Sequence, residues 1–310
     1  MAPEPEVNGL LNGSGDSVPT EPHGGGLQPA GSGGEVGSQP VLYTSGLRKV
    51  FGENVAVQEV DLELPAGGSL AVVGESGSGK TTVARMIVGL IRPSAGTIVA
   101  CGTDRSRPTR KAAERRRRGA EVQIVFQDPY SSLNPRHCAA EAIDEVLRLH
   151  GKGGDRAGRK ARIEALGEMV GLDDRMLRAL PRALSGGQRQ RIAIARALAA
   201  EPKILVLDEA VAALDVSIQA QVLNLLCDIR AQTGVSYLFI SHDLAVVRQI
   251  SEDVIVMQRG RVVERGKTLE VLDNPQDQYT KMLRASVPRP GWKPARRATR
   301  ITPLDGEDPC

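Results

Sequence analysis

Apolar and polar residues alternate over positions 41–50 and 54–64, the two-residue period of strands with one buried face. Pro65-Ala66-Gly67-Gly68 reads as a turn, and residues 69–73 as a short apolar strand leading into a glycine-rich loop. The spacing becomes helical over 81–90, and the stretch from Pro93 to Gly96 ends that helix. Between about residues 128 and 200, apolar residues recur every three or four positions, predicting helices over 139–150, 157–170 and 187–200. Beyond them, strands over 203–207, 235–240 and 253–259 alternate with helices over 216–233 and 244–250. Alternation of this kind predicts an α/β fold: a largely parallel sheet covered on both faces, with a helical insertion in its middle.

The two ends of the 310-residue chain depart from this pattern. Residues 1–39 are rich in Gly, Pro, Ser and Glu, too poor in large apolar groups to offset their ordering entropy, and are expected to form a disordered tail. Residues 40–287 are expected to make one domain with a helical subdomain at about 128–200, and the Pro- and Arg-rich residues 288–310 a loose tail. A formal net charge of +3 and an aromatic content of 3% argue against a nucleic-acid partner. Cys101, Cys138, Cys227 and Cys310 lack metal-ligand spacing and fit reduced thiols in a cytosolic protein. No apolar run approaches the length of a membrane span. The N-terminus carries acids and glycines where a signal peptide would be basic and then apolar. Any membrane role is therefore expected to come through a partner.

Candidate chemistry concentrates at the ends of predicted strands. Gly74, Glu75, Ser76, Gly77, Ser78, Gly79, Lys80 and Thr81 match Gly-x-x-x-x-Gly-Lys-Ser/Thr between a strand and a helix. Glycines let backbone N–H groups close around phosphate oxygens, and the positive end of the following helix faces them. Lys80 is expected to reach the β- and γ-phosphates of a nucleoside triphosphate, Thr81 to hold Mg²⁺, and Thr82 to join the nucleotide-binding set. The apolar string before Asp208-Glu209 ends where parallel sheets bind ligands. Asp208 is placed to hold Mg²⁺ through water, and Glu209 to polarise the attacking water as general base. A strand simply ending in solvated acids is the plain alternative. Ser185-Gly186-Gly187-Gln188, at the start of an Ala- and Ile-rich helix, makes a second anion site with the Ser185 hydroxyl as an extra donor. Two separate phosphate sites make sense if two such domains face each other head to tail, each giving this turn to the other's nucleotide.

Leu184-Ser185-Gly186-Gly187-Gln188-Arg189-Gln190-Arg191 resembles the signature of ATP-binding cassette proteins, and the likeness extends from about residue 41 to 287. The resemblance implies a P-loop NTPase fold of the cassette type, with a mainly parallel core, an antiparallel β subdomain and a helical subdomain. It implies that Phe51 stacks on adenine, although an aromatic at a strand end is usually core. It implies that Gln127 touches Mg²⁺ and the attacking water and links to the membrane partner, and that Asp215 lies in a loop crossing the dimer interface. His242, after an apolar strand, matches the histidine that holds the γ-phosphate; a lone histidine there is otherwise a capped structural one.

The string from Phe126 to Arg136, and Asn274-Pro275-Gln276 with Tyr279-Thr280-Lys281, are similar to the oligopeptide, dipeptide and nickel importer ATPases. Two departures stand out. Asp277-Gln278 replaces the His-Pro that group carries before the tyrosine, and Ala210-Val211-Ala212-Ala213 replaces a Pro- and Ser-containing loop after Glu209. The second departure puts loop rigidity and one interface hydrogen bond in doubt. The basic run from Arg105 to Arg118 reads as a solvated helix face.

The resemblance therefore implies an ATPase subunit on the cytoplasmic face of the cell membrane, using ATP and Mg²⁺. Its expected partners are transmembrane permease subunits, a second identical or homologous cassette and, indirectly, a solute-binding protein. Together they would take up peptides or a related small solute. The rivals are a cassette ATPase acting on DNA or the ribosome, and a weakly catalytic regulatory cassette.

Overall fold

The long alternating stretches become β1 (Leu42–Phe51) and β2 (Asn54–Leu64), paired antiparallel from Leu42–Leu64 to Phe51–Asn54 with bulges between. The computed structural model describes residues 39–128 and 132–286. The expected tail at 288–310, all but the last residue of the expected tail at 1–39, and Pro129-Tyr130-Ser131 of the importer-like string lie outside the described residues. β4 (Ala95–Ala100) and β5 (Thr103–Asp104) complete an antiparallel sheet in the order β2-β1-β4-β5.

The buried runs in the second half make a different sheet. β3 (Ser69–Val73), β6 (Val122–Val125), β7 (Ile204–Asp208), β8 (Ser236–Ser241) and β9 (Asp253–Gln258) pair in parallel. β10 (Arg261–Lys267) closes one edge antiparallel, giving the order β10-β9-β3-β8-β7-β6. Every residue of β3, β7 and β8 is buried, as expected of strands covered on both faces.

Strand periodicity divides the core between those faces. On one face, Ile204, Val206, Leu238 and Ile240 pack with α1 (Lys80–Ile87) and with the inner residues of β1, β2 and β4. On the other, Leu205, Leu207, Tyr237 and Phe239 pack with α3 (Ala139–His150), α4 (Arg156–Met169), α5 (Asp174–Arg178), α6 (Gly186–Leu198) and α7 (Val216–Thr233). A third cluster joins Ala71 and Val73 to α8 (Leu244–Ile250), α9 (Thr268–Asp273) and Tyr279 of α10 (Gln278–Ala285).

Three sequence expectations are corrected. α1 stops at Ile87, not near residue 90, because Gly89 takes a left-handed φ of 84°. The amides of Gly89, Leu90 and Ile91 then fold back onto Met86 and Arg85 carbonyls, so Pro93 follows a helix already ended. β4, β5, β6 and β10 emerge where the sequence pattern showed no strand. The basic run is also not wholly solvated: α2 (Ala112–Glu121) has no buried residue, yet Arg105 is nearly buried and ion-paired with Glu121. Arg117 and Arg118 are held by Glu114 at 3.1 Å and 2.8 Å.

Candidate nucleotide site

β3 delivers the chain to Gly74 at the sheet's carboxyl edge, and the loop returns into α1 at Lys80. Gly74 (φ 149°) and Gly79 (φ 102°) must be glycine, since a Cβ would lie 2.1 Å from the Met257 carbonyl oxygen and 2.6 Å from that of Ala56. The loop is thus wedged against β9 and β2. At Gly77 (φ 82°), by contrast, an added Cβ meets nothing within 4 Å, so the turn is open on that side. Glu75, Ser76 and Gly77 are exposed, whereas Ser78 and Lys80 are each 4% exposed.

Lys80 Nζ donates to the carbonyls of Gly74 and Glu75, both at 2.8 Å. Burial pushes its ammonium below the ordinary lysine range, opposed by the carboxylates of Glu209, Asp208 and Glu75. Thr81 Oγ1 donates to Asp208 Oδ1 at 3.1 Å. Burial raises the Asp208 carboxyl, opposed by that hydrogen bond. The next residue, Glu209, has a left-handed φ of 51°, and its N–H donates to the Ile240 carbonyl at 2.9 Å. This turn brings Glu209 Oε1 to 3.4 Å from Nδ1 of His242, whose side chain is half exposed. Ser241 and Asp243 fix the histidine's turn: the Asp243 N–H donates to Ser241 Oγ at 2.9 Å, and the Asp243 carboxylate accepts from Ala245 N at 2.8 Å.

Lys80, Thr81, Asp208, Glu209 and His242, predicted from separate strings, therefore meet at the ends of β3, β7 and β8. Phe51 lies at the tip of β1, 47% exposed, with Lys49 Nζ 4.8 Å from its ring centroid, so it is not a core aromatic. Gln127 follows β6 and is exposed. No hydrogen bond among the described residues joins either side chain to the cluster.

Ser185 caps α6: its Oγ accepts from Gln188 N at 3.2 Å, while Gln188 Oε1 accepts from Ser185 N at 2.9 Å. α6 packs on the sheet face opposite α1. Its first turn meets the end of the loop after Glu209 and the start of α7: an added Cβ would lie 3.6 Å from Leu214 Cδ2 at Gly186 and 2.5 Å from Ile218 Cγ2 at Gly187. Asp215 caps α7 by accepting from Ile218 N at 3.0 Å and Ser217 Oγ at 2.8 Å, bonds that hold its carboxyl below the usual aspartate range. The loop between keeps its shape without proline. Ala210 and Val211 are buried, and Ala212 N and Leu214 N donate to the carbonyls of Glu209 and Val211.

Sequence reasoning did not single out Ile218, nor the role of Tyr279, whose hydroxyl accepts the Glu75 N–H at 2.8 Å. The sequence carries no local signal for a contact between residues 204 positions apart.

Among the described residues no three His, Cys, Asp or Glu side chains form a metal cage. The hydroxyl of Thr81 and carboxylate of Asp208 are the sparse, hard-oxygen donor set that fits Mg²⁺ held largely by phosphate oxygens and water.

The oligopeptide transport ATP-binding protein OppD of Mycobacterium tuberculosis is 49% identical over 251 residues, 81% of this chain. The chain spans only 40% of that relative's length. A putative peptide import ATP-binding protein of Brucella abortus is 48% identical over 254 residues, 82% of this chain and 74% of the relative. Among solved structures, the dimeric ATP-binding cassette MJ0796 bound to ADP and Pi aligns with a TM-score of 0.65 at 27% identity, covering 73% of this chain and 98% of that one. Residues 57–212 match the family described as ABC transporter, and with that match the chain belongs to the ABC transporter family.

Proposed function

We propose that the chain binds ATP with Mg²⁺ and hydrolyses it to power uptake of peptides or a related small solute through a membrane permease. The observation that carries this reading is the convergence of Lys80, the Thr81–Asp208 pair and the Glu209–His242 pair around an open, glycine-lined loop at one sheet edge. Lys80, released from the loop carbonyls, meets the β- and γ-phosphates, and the α1 N-terminus adds its partial positive charge. Glu209 accepts a proton from the attacking water. His242 turns Nδ1 toward Glu209, leaving Nε2 to meet the γ-phosphate. Thr81, Asp208 and Gln127 would hold Mg²⁺, which neutralises phosphate charge when bound. Phe51 offers its exposed ring to adenine.

The γ-phosphate's remaining partners come from Ser185, Gly186, Gly187 and Gln188 of a second cassette, identical or homologous, with Asp215 at the interface between the two. Support comes from the packing of α6 and α1 on opposite sheet faces, and from the dimeric structure that the fold matches. Transmembrane permease subunits and a solute-binding protein are the partners this reading implies, with the chain at the cytoplasmic membrane face. No described helix is long and apolar enough to cross a membrane. The intact Glu209–His242 pair favours a catalytic over a regulatory cassette, and the relatives' names favour import over work on DNA or the ribosome.

Turnover of Mg·ATP by the purified protein tests the catalytic core. Glu209→Gln keeps nucleotide binding and loses about 100-fold or more in hydrolysis, the scale of a general base. Wild-type turnover in that variant would remove Glu209 from the mechanism.

A further inference from the structure

The backbone of Glu75 is held on both sides of its Cα. Its carbonyl accepts from Lys80 Nζ at 2.8 Å and from Ser78 N at 3.2 Å, both within the phosphate loop. Its N–H donates out of the loop, to Tyr279 Oη at 2.8 Å. Lys80 must leave that carbonyl to reach a phosphate, so the bond to Tyr279 is the anchor that persists when nucleotide arrives.

Tyr279 is built to hold that position. It is 5% exposed, and its ring packs with Ala71 and Val73 of the strand feeding the loop, and with Leu244 and Val247 of the helix after His242. Burial pushes its phenol above the ordinary tyrosine range, so the hydroxyl keeps its proton at neutral pH. The turn into α10 is clamped as well. Glu264 on β10 accepts from the N–H groups of Gln276 at 2.8 Å and Asp277 at 3.2 Å, and Asp277 accepts from Tyr279 N at 2.8 Å. The departure at Asp277-Gln278 thus installs a helix-capping carboxylate just before the tyrosine.

We propose that Tyr279 is a positioning residue of the phosphate loop, through which the C-terminal helix sets how tightly the loop holds nucleotide. The proposal rests on the reading that the Gly74–Thr81 loop binds ATP. It acts along one line: Tyr279 fixes the Gly74–Glu75 peptide, and that peptide fixes the loop's curvature and, through the Gly74 carbonyl that accepts from Lys80 Nζ at 2.8 Å, the resting place of Lys80.

Tyr279→Phe removes the hydroxyl and leaves the ring. Tyr237→Phe is its control, deleting another buried hydroxyl whose 2.8 Å bond to the Leu226 carbonyl lies away from the loop. Both full-length proteins are assayed for Mg·ATP binding, for melting temperature without nucleotide, and for steady-state hydrolysis. Tyr279→Phe is expected to bind ATP about fivefold more weakly and to raise KM with kcat changed less than about twofold, the scale of one hydrogen bond. Tyr237→Phe is expected to lower the melting temperature and leave ATP affinity unchanged. Equal ATP affinity in Tyr279→Phe and wild type, or equal affinity losses in both variants, would overturn the proposal. A wild-type chain that binds no ATP would instead sink the nucleotide reading beneath it.

Discussion

Glu209 shows how much one residue's backbone contributes to the site. A side chain at φ 51° lies in a region that costs a non-glycine residue about 1–2 kcal/mol. The bond from its N–H to Ile240 holds the chain there and turns the carboxylate from the strand end toward His242. In a relaxed extended conformation the same residue would continue β7 with its side chain projecting onto one face of the sheet. Phe51 is the opposite case, an exposed ring that the fold does not need. Phe51→Ala is therefore expected to change stability by less than about 0.5 kcal/mol. The same variant should weaken ATP binding by about 1 kcal/mol or more, as loss of a base-stacking aromatic does. Thermal melting and nucleotide titration check the two halves, and undiminished ATP affinity would return Phe51 to the role of a strand-end aromatic. That Lys80, Thr81, Asp208, Glu209 and His242 belong to one cluster was legible in sequence because each stands in a short string beside an apolar strand. Tyr279 and Ile218 were not, since their partners are brought close only by the completed sheet.

At the scale of elements, the site depends on how the first turn of α6 meets the first turn of α7. Gly187 is buried, and the β-branched Ile218 fills the space where its side chain would project. Gly187→Ala forces Ile218 aside. It is expected to cost about 1–3 kcal/mol, as overpacking does, and to reduce hydrolysis by disturbing Asp215 and the Ser185 turn together. Adding Ile218→Ala reopens the space and is expected to recover most of the lost melting temperature. A Gly187→Ala protein as stable as wild type would deny the contact. The periodic elements α3, α7 and α8 matched their predicted spans because apolar spacing sets both their period and their buried face. β6 and β10 escaped notice for physical reasons. Four residues carry too little period to read after a charge run, and an edge strand written Arg-Val-Val-Glu-Arg-Gly-Lys carries polar residues on most of its length.

For the whole molecule, the decisive fact is that the helices opened by the two candidate phosphate turns, α1 and α6, pack on opposite faces of one six-stranded sheet. The Gly74–Thr81 loop opens α1, packed with Val206 and Ile240, while Ser185 opens α6, packed with Leu205 and Leu207 on the other face. On the proposed reading, a chain built this way carries a nucleotide loop and a donor turn but does not apply its own turn to its own loop. Two chains related by a two-fold axis complete each other twice. Complementation between crippled copies tests this. Lys80→Ala removes the loop's ammonium and keeps the Ser185 turn; Ser185→Arg blocks the turn and keeps the loop. Each alone is expected to hydrolyse little ATP, since every site in its dimer carries one damaged half. Mixed, the two form pairs in which the loop of the Ser185→Arg chain faces the intact turn of the Lys80→Ala chain. At equal amounts and random pairing, about half of all dimers hold one such intact site, or about one-quarter of the wild-type sites. Turnover recovering toward that fraction marks a site shared between copies. If both variants dimerise and the mixture stays as inactive as its components, then the Ser185 turn does not act on a second copy's nucleotide.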